Sequence, residues 1–210
     1  MEKTEFIQTY LNEILPDAKC SLDFKNPFEC LCAVMLSAQA TDKSVNLVTS
    51  KLFASFPDAF AMSKASQEDV EQIIHSIGLY RNKAKNLIHL SKGLVDRFDG
   101  EVPHSKVELT SLPGVGVKTA NVVLAECFAI PAIAVDTHLT RVSKRLGLAK
   151  EEDDPIEIEK KLEKRFPKEK WIKLHHQMIW FGRMYCKAQS PLCQECKLQG
   201  FCREFKKKKR

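Results

Sequence analysis

The sequence lacks a long hydrophobic run. No apolar stretch in its 210 residues approaches the ~18 residues needed to cross a bilayer. The N-terminus, MEKTEFIQTYLNEIL, has the pattern of an acidic amphipathic helix and lacks the apolar core of a secretion signal. The sustained alternation of polar and apolar residues that is typical of strands is also missing. These absences predict an all-α protein that does not enter a membrane and stays in the cytoplasm.

The composition suits a globular protein with a modest basic excess. Hydrophobic residues make up 44% of the chain and charged residues 29%. Lys and Arg number 33 against 27 Asp and Glu, which gives a net charge of +6, and part of the excess forms a basic tail at 206–210. This charge is compatible with a phosphate-rich partner such as DNA, but it is also common among proteins that bind no nucleic acid.

Helix start signals recur along the chain. The segments NPFE at 26–29 and DPIE at 154–157 each combine a capping residue, a proline at the first helical position and a glutamate three residues after the cap. The middle of the chain contains the most apolar helices, whereas the part after Pro131 is more charged and ends in a cysteine cluster. The sequence therefore predicts short connections between helices and a domain boundary near Pro131.

Half of the eight cysteines form a tight cluster near the C-terminus. Their spacing is C-x6-C-x2-C-x5-C, which in a reducing cytosol indicates metal binding over disulfides. A single C-x2-C flanked by wider loops favours a [4Fe-4S] cluster over the paired knuckles of a zinc ribbon. Zinc and disulfides remain alternatives at this point. The four candidate ligands are Cys186, Cys193, Cys196 and Cys202.

The stretch LPGVGVKTANVV at 112–123 predicts two helices joined by a glycine turn. It is neither a dinucleotide-binding fingerprint, which has three glycines after a strand, nor a Walker A loop, because Val117 stands where that loop has glycine. Gly114 and Gly116 allow positive φ and close approach of a ligand, and the next helix offers free N–H groups for a phosphate. A helix connection without a ligand is the alternative reading.

Four motifs together resemble the endonuclease III family of DNA glycosylases with abasic-site lyase activity. They are LSAQATDKSVN, LPGVGVKTANVV, AIAVDTHLTRV and the cysteine cluster, and they span nearly the whole chain in order. The resemblance implies a six-helix domain carrying the helix-hairpin-helix and a helical iron–sulfur domain, with a DNA cleft between them. It implies the boundaries 1–21 for an N-terminal helix that belongs to the iron–sulfur domain, 22–131 for the six-helix domain and 132–210 for the cluster domain.

The resemblance also implies the catalytic residues. Lys118 matches the nucleophile, which forms a Schiff base with the sugar before β-elimination, and Asp136 matches the catalytic carboxylate. The start of a helix disfavours a cation, and this suits an amine that must be neutral to react. Each residue has a simpler reading: Lys118 as a phosphate-binding lysine and Asp136 as a helix N-cap.

Further residues are implied DNA contacts. Gln39 matches an intercalating glutamine, Leu79 an apolar wedge and His138 a pocket or DNA contact; the simpler readings are a turn residue, a core leucine and a solvated residue. Val117 stands where bacterial relatives commonly have arginine. The remaining contacts are Gly114, Gly116, Val117 and Thr119 in the hairpin.

The sequence thus predicts a monomeric, nucleoid-associated repair enzyme that removes oxidised or damaged pyrimidines from double-stranded DNA and cuts abasic sites. One alternative is a noncatalytic helix-hairpin-helix DNA-binding module stabilised by a metal. Another is an adenine-mismatch glycosylase of the same superfamily, against which Lys118 argues.

Overall fold

The computed structural model describes residues 2–208, and within that range all regular structure is helical. The predicted all-α class is confirmed. Lys209 and Arg210 of the predicted basic tail lie outside the described residues. No helix in the described range is long and apolar enough to span a membrane.

The α-helices are α1 (Lys3–Ile14), α2 (Pro27–Leu36), α3 (Asp42–Ser55), α4 (Ala59–Ser63), α5 (Gln67–Ile74), α6 (Tyr80–Phe98), α7 (Lys106–Thr110), α8 (Val117–Phe128), α9 (Thr137–Arg145), α10 (Pro155–Arg165), α11 (Trp171–Met184) and α12 (Arg203–Lys208).

The chain forms two compact units. The first, which we call the split unit, contains Met1–Cys20 and Pro131–Arg210, and the second, the central unit, is Ser21–Ile130. The described residues of the central unit include the seven α-helices α2 to α8, of which α4 and α7 are single turns of five residues.

The central unit is built around α2. Asn26 caps this helix by accepting a hydrogen bond from the Glu29 amide, and Pro27 occupies its first position. Every residue from Phe28 to Leu36 is buried, so α2 is surrounded by other elements and packs against α3, α6 and α8. The long helix α6 in turn packs against α4 and α5. The contact with α2 positions α8, which carries Lys118.

The split unit has its core between α1, α9 and α11. Ile7, Leu11, Leu139 and Phe181 are at most 1% exposed in this core. A buried polar network also joins α1 to α11, because Gln177 accepts a hydrogen bond from Gln8 and donates to the Leu15 carbonyl. The N-terminal helix is thereby tied to a segment more than 150 residues later in the chain.

Candidate functional site

The glycine turn of the central unit lies between a capped helix and an uncapped one. Ser105 caps α7, since its hydroxyl accepts a hydrogen bond from the Glu108 amide at 3.2 Å. Gly114 has φ 77°, a conformation that favours glycine, whereas Gly116 has φ −88°. A Cβ on Gly116 would meet no atom within 4 Å. Positive φ is therefore required only at Gly114, and Gly116 leaves room beside the backbone.

The first turn of α8 has free hydrogen-bond donors. Gly116 is the N-cap residue and provides no side chain to accept from the amides that follow, which have no partner within the helix. Lys118 is exposed in this first turn, between the half-buried Val117 and Thr119. Free amides and a positive helix end favour an anion. This end of α8 can thus bind a phosphate and present an amine beside it.

Two strained turns lie next to each other in the same unit. Gln39 (φ 54°) and Leu79 (φ 59°) both adopt the left-handed conformation that non-glycine residues rarely occupy. The position of a Cβ on Gly78 is 3.8 Å from the Gln39 carbonyl oxygen, so the turns are in contact. Gln39 is exposed, and the Leu79 side chain is 55% exposed. The interpretation of Leu79 as a core leucine is wrong, because the turn directs it to the surface.

Asp136 lies in the split unit and is the N-cap of α9. Its Oδ1 accepts a hydrogen bond of 2.7 Å from the Leu139 amide. The residue is half-buried after the apolar segment Ala132–Val135, which is almost fully buried. The carboxylate is therefore held in one orientation by its own helix.

His138 follows in the first turn of α9 and packs against α11. A Cβ on Gly182 would lie 2.9 Å from the His138 Cβ, so glycine is needed for this approach. The Arg141 guanidinium lies 3.2 Å from His138 Nδ1 and donates to the Gly182 carbonyl at 2.7 Å. Burial lowers the pKa of His138, although nearby Asp136 opposes this effect. His138 is therefore a packed, predominantly neutral residue near pH 7, and not a solvated one.

The cysteine cluster surrounds a cavity in the split unit. All four predicted ligands line it, together with apolar side chains that include Leu146, Phe181 and Phe205. Burial raises the pKa of the Cys186 thiol and raises that of Cys196 to about 11. Ligation must therefore displace protons from these thiols. Four sulfur donors around an apolar cavity fit an iron–sulfur cluster, which thiolates hold.

Two arginines of α9, whose role the sequence did not indicate, hold the start of the cysteine loop. Arg141 donates from Nε to the Cys186 carbonyl at 3.0 Å. Arg145 donates to Cys186 Sγ at 3.5 Å and to the carbonyls of Lys187 and Ala188 at 2.7 and 3.2 Å. Their spacing of about one helical turn from each other is the only sequence signal, and their acceptors are more than 40 residues away.

We expect Arg145→Met to accelerate loss of the cluster. Methionine retains an apolar stem but removes the donors to Cys186 Sγ and to the loop carbonyls. Loss of such outer partners typically weakens metal binding about 10–100-fold. The measurement is the decay of cluster absorbance in the presence of an iron chelator. Lys160→Met, at an exposed position of α10, is the control; equal decay rates for both variants would contradict the role of Arg145.

The predicted residues fall into two groups. Gln39, Leu79 and the hairpin residues, including Lys118, belong to the central unit. Asp136, His138 and the four cysteines belong to the split unit.

Family comparisons agree with these features. A family model described as the HhH-GPD superfamily base excision DNA repair protein matches residues 32–168. A second, described as the iron-sulfur binding domain of endonuclease III, matches residues 186–202, which begin and end at predicted ligands.

Comparisons with individual proteins and solved structures agree with these family matches. Endonuclease III of Bacillus subtilis (strain 168) is 50% identical over 208 residues, covering 99% of this chain and 95% of that protein. Endonuclease III of Escherichia coli (strain K12) is 44% identical over 202 residues, covering 96% and 95%. A solved structure of a trapped covalent intermediate of endonuclease III with DNA is 50% identical, with a TM-score of 0.95 over 100% of both chains. A thermostable thymine-DNA glycosylase, only 22% identical, shares the fold with a TM-score of 0.87 over 98% of this chain and 97% of that one.

These matches confirm the predicted enzyme class and the [4Fe-4S] cofactor. The chain belongs to the endonuclease III family, within the HhH-GPD superfamily of base excision DNA repair proteins.

Proposed function

We propose that this DNA glycosylase and abasic-site lyase removes oxidised or ring-damaged pyrimidines from double-stranded DNA, with Lys118 as its nucleophile. The observation that carries the proposal is the exposed Lys118 in an uncapped first helical turn directly after the glycine turn. We further propose that the enzyme acts as a monomer in the cytoplasm, on the DNA of the nucleoid.

The proposed chemistry begins with attack of the neutral Lys118 amine on C1′ of the damaged nucleotide. The new C1′–N bond replaces the bond to the base, which leaves with a proton, and the sugar ring then opens to a Schiff base. Loss of a C2′ proton expels the 3′ phosphate by β-elimination, and water finally releases the lysine.

Asp136 is proposed as the catalytic carboxylate. It can accept a proton from the Lys118 amine or stabilise the positive charge that develops on the sugar as the base leaves. The hydrogen bond from the Leu139 amide supports this role, because it fixes the carboxylate without consuming the second oxygen. The cap and the catalytic function are therefore compatible.

The hairpin is proposed to bind the DNA backbone. The open space beside Gly116 and the free amides of the first turn, which includes Val117 and Thr119, suit a phosphate oxygen. Gly114 shapes the turn through its positive φ. Val117 cannot form an ion pair, so it contributes only its backbone N–H. His138 is proposed as a further DNA contact, from the split unit.

Gln39 and Leu79 are proposed to fill the gap that a flipped nucleotide leaves. Flipping costs a few kcal/mol in unstacking and unpairing. An exposed leucine and an exposed glutamine on adjacent turns supply an apolar wedge and a hydrogen-bonding partner. Left-handed non-glycine residues cost of order 1–3 kcal/mol each, and such strain is concentrated at functional sites.

We expect Leu79→Gly to slow base release from duplex DNA without lowering the stability of the fold. Glycine accepts φ 59° without strain, so the free energy of unfolding should stay equal or rise by up to about 1 kcal/mol. Base release from duplex DNA should fall roughly 10-fold for each 1.4 kcal/mol of wedge stabilisation that is lost. Single-stranded DNA with the same lesion should be processed at the unchanged rate. Leu47→Ala, at another exposed leucine of the central unit, is the control; an equal loss on single strands would argue against a wedge.

The four cysteines are proposed as the ligands of the [4Fe-4S] cluster. The thiolates of these residues would hold the cluster and would thereby tie together the two ends of the loop 186–202. Freshly isolated native protein should contain about four iron and four sulfide per chain. Stoichiometric zinc instead would reject this assignment.

Borohydride reduction on abasic-site DNA tests the proposed function. Reduction of a Schiff base should leave a stable covalent complex between the chain and the DNA strand. A panel of defined lesions should show release of oxidised pyrimidines and no release of adenine from mismatches. Binding to the DNA without a covalent complex would indicate a noncatalytic helix-hairpin-helix DNA-binding module. Release of adenine would indicate an adenine-mismatch glycosylase of the same superfamily.

A further inference from the structure

The last of the four predicted ligands, Cys202, lies directly before the short helix α12. Its Sγ accepts a hydrogen bond of 3.4 Å from the Phe205 amide, and its carbonyl oxygen accepts one of 3.2 Å from the Lys206 amide. Cys202 and Phe205 both line the cavity of the cysteine cluster. A helix of six residues is too short to be stable on its own. The position of the Cys202 sulfur therefore depends on the contacts that hold α12.

Helix α9 of the same unit ends in a Schellman motif. The Gly147 amide donates to the Lys144 carbonyl at 3.0 Å, and the Leu148 amide donates to the Ser143 carbonyl at 2.8 Å. Gly147 has φ 63°, the left-handed conformation that this motif requires. The end of α9 is thus fixed by its own backbone hydrogen bonds.

The side chain of Arg203, the first residue of α12, lies against this glycine. A Cβ on Gly147 would be 2.7 Å from Arg203 Nε and 3.1 Å from Arg203 Cζ, so only glycine leaves room for the guanidinium in this position. Arg203 Nη1 also donates to the Ala149 carbonyl at 3.2 Å. Since α12 packs against α9, Arg203 attaches the start of α12 to the turn that follows α9.

The end of α9 therefore contacts both ends of the cysteine loop. Arg145 donates to Cys186 Sγ and to the two backbone carbonyls that follow Cys186, at the first end of the loop. Gly147, only two residues later, contacts Arg203, which directly follows Cys202 at the other end. One short segment of chain thus holds the first and the last of the predicted ligands.

We propose that Arg203 is a positioning residue for the cluster, because its contact with Gly147 anchors α12 and thereby keeps the Cys202 sulfur at the cavity. This inference rests on the proposed role of the four cysteines as cluster ligands. Arg145 and Arg203 then act on opposite ends of the loop. Loss of Arg203 should release Cys202 first, whereas loss of Arg145 should release Cys186 first.

The test follows the alkylation of each cysteine in purified holoprotein that is treated with an iron chelator and a low dose of iodoacetamide. In Arg203→Met, Cys202 should be alkylated about 10-fold faster than in wild type, at the lower end of the effect of outer partners, and before Cys186. Arg145→Met should give the reverse order. Lys207→Met, at an exposed lysine of α12, is the matched control and should behave as wild type. Peptide mass spectrometry measures the rates.

Gly147→Asn tests the same contact without changing Arg203. Asparagine is the other residue that commonly occupies this position of the motif, so the end of α9 should keep its conformation. Its Cβ takes the place of the guanidinium, and the flexible arginine side chain must move away. We expect the same early alkylation of Cys202 with an unchanged far-UV circular dichroism spectrum. Arg203→Lys, which can still donate to the Ala149 carbonyl, should give a rate between those of wild type and Arg203→Met.

Two results would overturn the role of Arg203. One is alkylation of Cys202 at the wild-type rate in both Arg203→Met and Gly147→Asn. The other is simultaneous alkylation of all four cysteines in these variants, which indicates general unfolding of the loop. The iron content of wild type separates this inference from the ligand assignment: wild type without iron overturns both, whereas wild type with about four iron per chain and unchanged variants overturns only the role of Arg203. If Arg203→Met does not fold, Gly147→Asn and Arg203→Lys decide the outcome.

Discussion

Lys118→Gln is expected to abolish strand cleavage at abasic sites and the covalent complex with DNA after borohydride reduction. Glutamine keeps the length and polarity of the side chain but has no nucleophilic amine, so no Schiff base can form. Removing a nucleophile costs as much as ~10⁶-fold in well-studied enzymes, and we expect a loss on the order of 10³-fold or more here. Cleavage of abasic-site duplex under single-turnover conditions gives the rate.

Stability and DNA binding should be nearly unchanged in the same variant. Lys118 is exposed, so its replacement leaves no buried group without a partner. Lys51→Gln is a matched control, because Lys51 is an exposed lysine on another helix of the central unit. Covalent trapping of Lys118→Gln at the wild-type level would overturn the assignment and leave Lys118 as a phosphate-binding lysine.

Asp136→Asn is expected to slow base release by about 10²–10³-fold while leaving folding intact. Asparagine caps helices about as well as aspartate, so its amide oxygen can still accept from the Leu139 amide. What it removes is the negative charge. The rate of base release should therefore fall without a matching change in DNA affinity or in the free energy of unfolding.

Comparison with Asp136→Ala distinguishes the capping role of Asp136 from the role of its negative charge. The alanine variant removes both, so it should add a loss of about 1 kcal/mol in stability to the same catalytic defect. The comparison needs chemical denaturation and single-turnover base release on both variants. If Asp136→Asn binds DNA weakly and unfolds as easily as Asp136→Ala, the residue is mainly a structural cap.

Local features of this fold were predictable because they depend on neighbours in sequence. Asn26 and Asp154 cap helices at the positions that the NPFE and DPIE patterns indicate. Capping depends on a side chain and an amide three residues apart, so no distant contact is needed. The cap at Asp136 follows from the same rule.

Contacts between distant segments were not predictable in this way. Arg145 donates to backbone carbonyls of the cysteine loop across separations of more than 40 residues. Nothing in the residues around Arg145 distinguishes it from a solvated lysine or arginine of an amphipathic helix. Arg145 has this role because α9 packs beside the cysteine loop, which places the Arg145 guanidinium within hydrogen-bonding distance of the loop carbonyls.

The sequence by itself determined the helical class, the family, the iron–sulfur cofactor and the candidate nucleophile and ligands, because each depends on residue types at short, regular spacings. Only the tertiary structure decided which way Leu79 faces, that His138 is packed against Gly182, and that Arg145 has partners in the cysteine loop. Burial, backbone strain and the pKa of a thiol arise from atoms that the chain brings together from far apart, and spacing along the sequence does not encode these distances directly.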